Sequence, residues 1–482
     1  MVTTYPRVET LVDTMAAAQP DHLALRHGAR TWTYAAMRAE MDRRAAVLVA
    51  AGLAPGTIVA TNEIVTDAYA LSFLACCRAD IALFGLSAKL SAAEIATFVR
   101  RAGVKRLLTA DGRPHPAAPD IPALSIALPG SASPAATAEA ARRSQDGSAE
   151  SVVFLQTTSG TTGSIPKIVR IPHRTYTWRL PNPLWWEPAD GIYYVPQPNL
   201  FGARSFCTHL GIGGTIILAH AAAPAHMEAE MEEYGATVLW SVPAIVQLLS
   251  EYIPPPPPGL RLRYARTSAA PLPPHVAHAF AARYGGIAVQ ELGLTEGGSL
   301  IGTPLGGAPD GSIGKPYRGV IVRVVDDAGN DVAVGETGEL VIQTPGLALG
   351  YLDSPEAAAR TFRNGWLWTG DLGWCDADGF YYIVGRHALR INVGGFKVAP
   401  EEVEAALMEH PAVREVVVLA MPDARRGEVV RAIIVPRATP PPVGELRRFC
   451  RERLATYKVP RVFEFRDELP RSAIGKVLRH HL

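Results

Sequence analysis

The segment Thr157, Thr158, Ser159, Gly160, Thr161, Thr162, Gly163, Ser164, Ile165, Pro166, Lys167 concentrates the residue types that hold an anion. Glycines let successive backbone N–H groups turn toward one point, hydroxyls add donors, and the lysine supplies positive charge for phosphate oxygens. No Ser or Thr follows Lys167, so the spacing is not that of the GxxxxGK[ST] loop of nucleoside triphosphatases. A plain Ser/Thr/Gly linker has the same composition. The position, directly after the strand-like run VVFLQ and before a basic, helix-prone stretch, favours the phosphate cradle.

Other residues carry weaker signals. Glu296 follows Thr295 in a Gly-bounded turn, where its carboxylate can hold Mg2+, a hard cation that prefers oxygen, or can simply be solvated. Asp371, in what reads as a Thr-Gly-Asp turn, can accept both hydroxyls of a ribose or can bond its own backbone as an Asx turn does. Arg386 can pair with ribose or phosphate, or fix a joint between domains by a salt bridge. Lys476, near the end of the chain in a Gly-bearing tail, has the setting of a solvated charge. His173 is expected to be structural. No HxxxH or Cys/His spacing suggests zinc. Cys76, Cys77, Cys207, Cys375 and Cys450 show no CxxC pattern and read as small buried hydrophobes in a reducing, cytoplasmic setting.

Positioning such residues takes more than one domain, because 482 residues exceed what a single hydrophobic core usually organises. The pattern over 31–51 is apolar at helical spacing and ends at Gly52, a C-cap residue. TIVATNE, DAYALSFLACCRAD and GVKRLLTA then alternate as strand, helix and strand, which favours a largely parallel α/β sheet. Residues 114–150 are Pro-, Ala- and Ser-rich and read as an exposed connection with some ordered parts. A second α/β unit runs through VVFLQTT, GTIILAH, ATVLWSVPAIVQLLS and LRYARTSAAPL, interrupted by a stiff proline spacer at 254–258. From Ile321 short β-type runs (IVRVVDD, GELVIQT, GFYYIVG) indicate a β-rich subdomain. A compact α+β piece follows, with EEVEAALMEH and a basic stretch around ELRRFCRERLA as helices. The expected fold is therefore α/β: a large N-terminal domain, 1–385, of layered α/β subdomains plus a β-rich subdomain, and a small mobile α+β C-terminal domain, 386–482.

Bulk composition narrows the function classes. Hydrophobic residues make up 48% and charged residues 19%, as in an ordinary globular protein, and a formal net charge of +1 provides no field for holding DNA or RNA. The first residues lack the apolar core of a signal peptide, and no run is long enough for a membrane-spanning helix. Nucleic acid and membrane are not expected partners, and a monomer or homodimer is expected.

Taken in order, the motifs resemble those of the adenylate-forming (ANL) superfamily, of the acyl-CoA synthetase and aryl-acid ligase type. That superfamily also holds peptide-synthetase adenylation domains and luciferases. The Thr157–Lys167 segment resembles its signature loop. Glu291, Leu292, Gly293, Leu294, Thr295, Glu296 resemble its adenine and magnesium motif, and Trp368, Thr369, Gly370, Asp371 its ribose motif. Gly385, Arg386 and Ile391, Asn392, Val393, Gly394, Gly395 resemble its hinge and thiol tunnel, and Pro470 to Lys476 its C-terminal catalytic loop. The resemblance spans the chain from about Gln156 to its end.

The resemblance implies ATP, Mg2+ and coenzyme A, or a carrier-protein phosphopantetheine, as cofactors, with AMP and pyrophosphate as products. It implies catalytic roles for Lys476, Glu296, Thr158 and Lys167, with Glu296 on the metal. It implies nucleotide or thiol contacts for Ser159, Gly160, Thr161, Thr162, Gly163, Thr295, Asp371, Arg386, Glu291, Leu292, Gly394 and Gly395. The acid pocket falls on 195–208, 238–246 and 267–272, with Asn199, Phe201, Gly202, Ser268, Ala269 and Gly293 as candidate lining. Asn199 stands where aryl-acid ligases place a ring-hydroxyl partner, which tilts the small carboxylic acid substrate toward aromatic or compact cyclic acids; a turn-capping Asn199 is the other reading. A free-standing acyl carrier protein is the alternative acceptor, and a nucleotide-binding protein without catalysis the alternative class. The sequence departs from the pattern at Ser164-Ile165, which adds a residue, at Ile168 in place of glycine, at Leu292 in place of an aromatic, and at Ala388 in place of a hinge Asp or Lys.

Overall fold

The computed structural model describes the chain except residues 1–4, 64, 88–89, 126–132, 159–165, 179–186, 188–189, 196–202, 221–222, 269, 271, 305, 387–388, 390, 394–395, 424–426 and 472–476; at 392, 396, 397, 427 and 480 it describes the backbone alone. The described residues form two compact units. The larger comprises those of Met1–Ser159, Pro166–Ile321 and Gln343–Leu367, the smaller those of Val322–Ile342 and Trp368–Leu482.

In the larger unit, strands Ala123–Leu124, Arg106–Leu108, Ile58–Thr61, Ala82–Gly85 and Val152–Thr157 lie parallel in that spatial order, and Ile168–Pro172 pairs antiparallel with the last of them. Val59, Ala60, Leu83, Phe84, Val153 and Leu155 are buried, as expected of parallel strands covered on both faces. The covering helices start where the sequence caps them: Thr66 accepts the Tyr69 N–H ahead of Asp67–Arg78, and Ser91 and Glu94 form a reciprocal capping box at Ala92–Arg101. The stretch after the phosphate loop, expected to be helix-prone, begins instead as a strand. Its β-branched Ile168, Val169 and Ile171 suit a pleated surface, and only Arg174–Thr177 is helical.

The second sheet of this unit has nine strands. Leu23–His27, Thr215–Leu218, Gly191–Tyr194, Val238–Ser241, Tyr264–Thr267 and Ile287–Leu294 are successive parallel neighbours. Arg30–Thr33 adds antiparallel at one edge, and Gly298–Gly302 and Lys315–Pro316 at the other. Tyr193, Leu239, Met227, Met231, Val246 and Phe280 anchor its core. The helix expected over 31–51 starts later, at Tyr34, because 31–33 belong to the edge strand; Thr33 caps it, and Gly52, at φ +75°, lies just past its end. The connection 114–150 holds the strand Ala123–Leu124 and the helix Pro134–Asp146.

The smaller unit holds a sheet that includes Ile321–Val325, Gly338–Gln343, Trp366–Cys375 and Tyr381–Arg386. Its α+β portion orders Phe396–Val398, Ile391–Val393, Gly427–Pro436 and Val413–Asp423 side by side, with Val462–Phe465 parallel to Gly427–Pro436. Helices Pro400–Met408 and Val443–Arg451 pack on it through Val403, Leu407, Leu446 and Cys450. The 385/386 boundary proposed from sequence lies at the end of strand Tyr381–Arg386. Among the described residues no helix is long and apolar enough to cross a membrane.

Candidate active site

The phosphate loop leaves and rejoins the six-stranded sheet between paired strands. Thr157 stands opposite Ile168, the Thr158 N–H donates to the Lys167 carbonyl at 2.9 Å, and the Lys167 N–H donates to Thr158 Oγ1 at 3.3 Å. The two ends of the loop are thereby fixed against each other, two residues that the sequence places nine positions apart. Arg101 adds a brace, donating to the Pro166 carbonyl at 3.0 Å while pairing with Asp353 at 2.6 Å.

Glu291 and Glu296 lie on one hairpin, formed by Ile287–Leu294 and the antiparallel Gly298–Gly302. Thr295 and Glu296 occupy the turn, as expected, and Gly297 N–H closes it onto the Leu294 carbonyl at 3.2 Å. Glu296 is partly exposed, and Tyr351 OH donates to its Oε1 at 2.8 Å. The same tyrosine ring carries Lys167 Nζ 4.8 Å from its centroid. Lys167 and Glu296, two residues singled out from sequence, thus meet at a residue that sequence reading missed, and Thr158 is tied to Lys167. The backbone keeps Tyr351 there: Arg170 N–H donates to the Gly350 carbonyl and Leu349 N–H to the Arg170 carbonyl, both at 2.9 Å, and Ala348 N–H reaches the Glu296 carbonyl at 2.8 Å.

Glu291 has a different environment. It is 7% exposed, and its carboxylate takes Arg266, Ser299 Oγ at 2.5 Å and Tyr317 OH at 2.8 Å. Burial is the largest single influence and works against the Arg266 charge, but the Glu291 and Tyr317 interactions together outweigh it, and the guanidinium pKa is raised. A charge-assisted network this enclosed ties strand Tyr264–Thr267 to the hairpin. The Glu291 side chain is therefore committed to internal partners, and any contact it makes with nucleotide falls to its backbone. Arg266, a charge within the strand-like run LRYART, was the visible signal of this pair. Leu292 and Gly293 follow in the strand, partly exposed, and Gly293 stands opposite Ser299.

The three segments expected to line the acid pocket are on or next to adjacent parallel strands: 195–208 follows Gly191–Tyr194, 238–246 runs through Val238–Ser241 and past its carboxyl end, and 267–272 starts at the last residue of Tyr264–Thr267. This is the end at which open α/β sheets bind ligands. Tyr194 and Trp240, register partners there, stack with centroids 4.4 Å apart and form a buried aromatic wall. Ser268, partly buried, follows the third strand.

In the smaller unit, Asp371 is not in a free turn but within the strand Trp366–Cys375, directly opposite Arg386 of Tyr381–Arg386. Gly370, at φ +70°, lets the strand carry the turn-like Thr-Gly-Asp letters, with Gly370 N–H on Glu339 at 2.9 Å and Thr369 Oγ1 on the Leu340 carbonyl at 2.7 Å. Arg386 Nε pairs with Asp371 Oδ1 at 2.5 Å, the salt-bridge alternative foreseen for this arginine.

His173 is buried, as a structural residue should be, and accepts the Val8 N–H at Nδ1 at 3.2 Å. Burial, with the Arg7 charge nearby, holds its pKa well below the usual histidine value. Glu9 and Cys77 adjoin it, yet Arg7 already bonds Glu9 at 2.7 Å, and that cation opposes a metal there. Ser159, Gly160, Thr161, Thr162, Gly163, Asn199, Phe201, Gly202, Ala269, Gly394, Gly395 and Lys476 lie outside the described residues, as do Ser164-Ile165 and Ala388.

Layered α/β sheets followed by a smaller α+β unit are the architecture of the adenylate-forming enzymes. Residues 12–352 match the model of the AMP-binding enzyme family and residues 402–476 that of the AMP-binding enzyme C-terminal domain, and the chain belongs to this family. It is 31% identical to fatty acid–[acyl-carrier-protein] ligase ScoC of Streptomyces coeruleorubidus, over 99% of this chain and 96% of that protein. It is 32% identical to feruloyl-CoA synthase of Amycolatopsis sp, over 96% of each. Among solved structures, o-succinylbenzoate CoA synthetase (MenE) from Bacillus subtilis with its acyl-adenylate intermediate OSB-AMP superimposes with a TM-score of 0.85 at 26% identity, covering 99% of this chain and 98% of that one. The same enzyme with ATP and magnesium ion gives 0.84 at 26% identity, covering 100% of both.

Proposed function

We propose that this protein is an AMP-forming acid–thiol ligase: it activates a carboxylic acid with ATP and passes the acyl group to coenzyme A. The observation that carries this reading is the meeting of Lys167 and Glu296 at Tyr351, in a chain similar throughout to a synthetase with a bound acyl-adenylate. In the first step a carboxylate oxygen attacks the α-phosphorus, the bond to the β-phosphate oxygen breaks, and pyrophosphate leaves. In the second the thiol sulfur attacks the acyl carbon, its proton is lost, and AMP leaves. Magnesium, when bound, neutralises phosphate charge. The partly exposed Glu296 suits such a cation: Tyr351 takes one carboxylate oxygen, and Oε2 has no hydrogen-bond partner among the described residues.

Thr158, Ser159, Thr161, Thr162 and Lys167 surround the phosphates in this reading, while Asp371 exchanges Arg386 for the ribose hydroxyls. Lys476 neutralises the α-phosphate as charge builds up there. Residues 386–482 act as a domain that rotates at the 385/386 boundary. A Cβ at Gly385, where φ is +156°, would displace the Glu401 carboxylate. Gly394 and Gly395 let the pantetheine arm pass close to backbone. The Tyr194–Trp240 wall supports an aromatic or compact cyclic acid, as does likeness to feruloyl- and o-succinylbenzoate-CoA synthetases. We place the protein in the cytoplasm, where its five free thiols stay reduced. Likeness to ScoC favours a second reading in which a carrier-protein phosphopantetheine is the acceptor.

An acid panel led by benzoates with and without hydroxyl or amino groups, scored for AMP and pyrophosphate, tests the first step; ADP as the product would refute it. Thioester yield with coenzyme A against a set of carrier proteins separates the two acceptors. Lys476→Ala is expected to abolish adenylation while leaving transfer from preformed acyl-adenylate largely intact. Equal loss of both halves would show that Lys476 does not divide the labour in this way.

A further inference from the structure

We infer that Tyr351 is a positioning residue that holds the Glu296 carboxylate and the Lys167 ammonium apart, each oriented for the metal-nucleotide complex. This rests on the reading of Glu296 as the metal-holding carboxylate given above.

The geometry is specific. One hydroxyl proton goes to Glu296 Oε1 at 2.8 Å, while the π-face of the same ring takes Lys167 Nζ at 4.8 Å from its centroid. A carboxylate and an ammonium close enough to share one side chain would otherwise pair directly, and each would cancel the charge the other offers to substrate. The phenol prevents this by satisfying the two in different ways. Its hydroxyl fixes one carboxylate oxygen, and Oε2 has no hydrogen-bond partner among the described residues. Its ring attracts the ammonium without using any of the three N–H donors, which stay available to phosphate oxygens.

Tyr351 is well placed to do this rigidly. It is 6% exposed, stands as a β-bridge partner of Val169, and packs edge-on against Phe362 with centroids 5.5 Å apart. Leu352 N–H adds a bond to the Ile168 carbonyl at 2.8 Å, immediately after Lys167. The ring is thereby referenced to the strand that ends the phosphate loop, and its hydroxyl to the turn that carries Glu296. Residues that orient a metal ligand in this way are worth roughly 10- to 100-fold in metal affinity.

The test is ATP binding by calorimetry, without acid, in EDTA and across a magnesium titration. Tyr351→Phe keeps the ring and loses the hydroxyl. It is expected to raise half-saturating Mg2+ roughly tenfold, leaving ATP affinity in EDTA and the melting temperature near wild type. Tyr351→Leu loses both functions and is expected in addition to weaken ATP in EDTA about two- to fivefold. Glu296→Gln serves as the reference for loss of the metal ligand. If Tyr351→Phe follows the wild-type magnesium curve while Glu296→Gln departs from it, the positioning role is overturned and Glu296 keeps its own. If Glu296→Gln also follows the wild type, the metal reading of that carboxylate falls, and the role of Tyr351 with it. Should Tyr351→Phe not fold, 3-fluorotyrosine at position 351 alone changes the acidity of the hydroxyl at nearly constant shape; an unmoved magnesium curve in that protein overturns the inference too.

Discussion

Glu291 and Glu296 sit five positions apart on the same hairpin and in the same motif, yet the structure gives them opposite circumstances. Glu291 faces inward, with Arg266, Ser299 and Tyr317 engaging its carboxylate. Glu296, in the turn, has one oxygen held by Tyr351 and the other without a partner among the described residues. Strand alternation and distance from the turn make the difference. A carboxylate buried between strands must be neutralised by its neighbours, whereas one at a turn can keep a free lone pair for a ligand. One glutamate holds the hairpin to the sheet, and the other stands in the turn, where we propose that it meets the metal–nucleotide complex.

The largest effect is expected from breaking the buried partner. Glu291→Ala leaves Arg266 charged and unpaired and should cost about 3–5 kcal/mol of stability in urea denaturation. The double variant Glu291→Leu, Arg266→Met removes both charges and should recover most of that loss. If Glu291→Ala instead kept its stability and lost only activity, the division between the two residues would be wrong. Next, Glu296→Gln should lower acid-dependent pyrophosphate release by about 10²-fold, near 2.7 kcal/mol in the barrier, with an unchanged urea midpoint. A fall in stability comparable to that of Glu291→Ala would erase the contrast. The smallest effect belongs to Tyr317→Phe, which takes one hydrogen bond from Glu291 and leaves Arg266 in place. About 1–2 kcal/mol of stability should go, with kcat close to wild type.

The sequence revealed these features unevenly, for physical reasons. The loop between Val152–Thr157 and Ile168–Pro172 was legible as a break between strands because glycine and hydroxyl residues crowd it, and the α/β alternation because parallel strands and their helices differ in apolar period. Glu296 was legible from its glycine-bounded turn. Tyr351 was not: its hydroxyl partner is 55 positions away, and no local pattern records a tertiary hydrogen bond. The strand through Asp371 was hidden because Thr-Gly-Asp has turn composition, and only pairing with Tyr381–Arg386 extends it. The stretch beginning at Ile168 misled in the other direction, since its basic residues suit a helix while its β-branched ones and the waiting edge of Val152–Thr157 decide for a strand.

The clasp between Thr158 and Lys167 also separates evolutionary freedoms. In a sheet, a slip by a single residue turns every downstream side chain to the opposite face, so insertions near strands are normally ruinous. Here the strands are locked in register on either side of the loop, Thr157 against Ile168, so a length change such as that at Ser164-Ile165 is confined to the span between them. The span between these two strands can therefore change in length while the buried faces of both strands stay as they were.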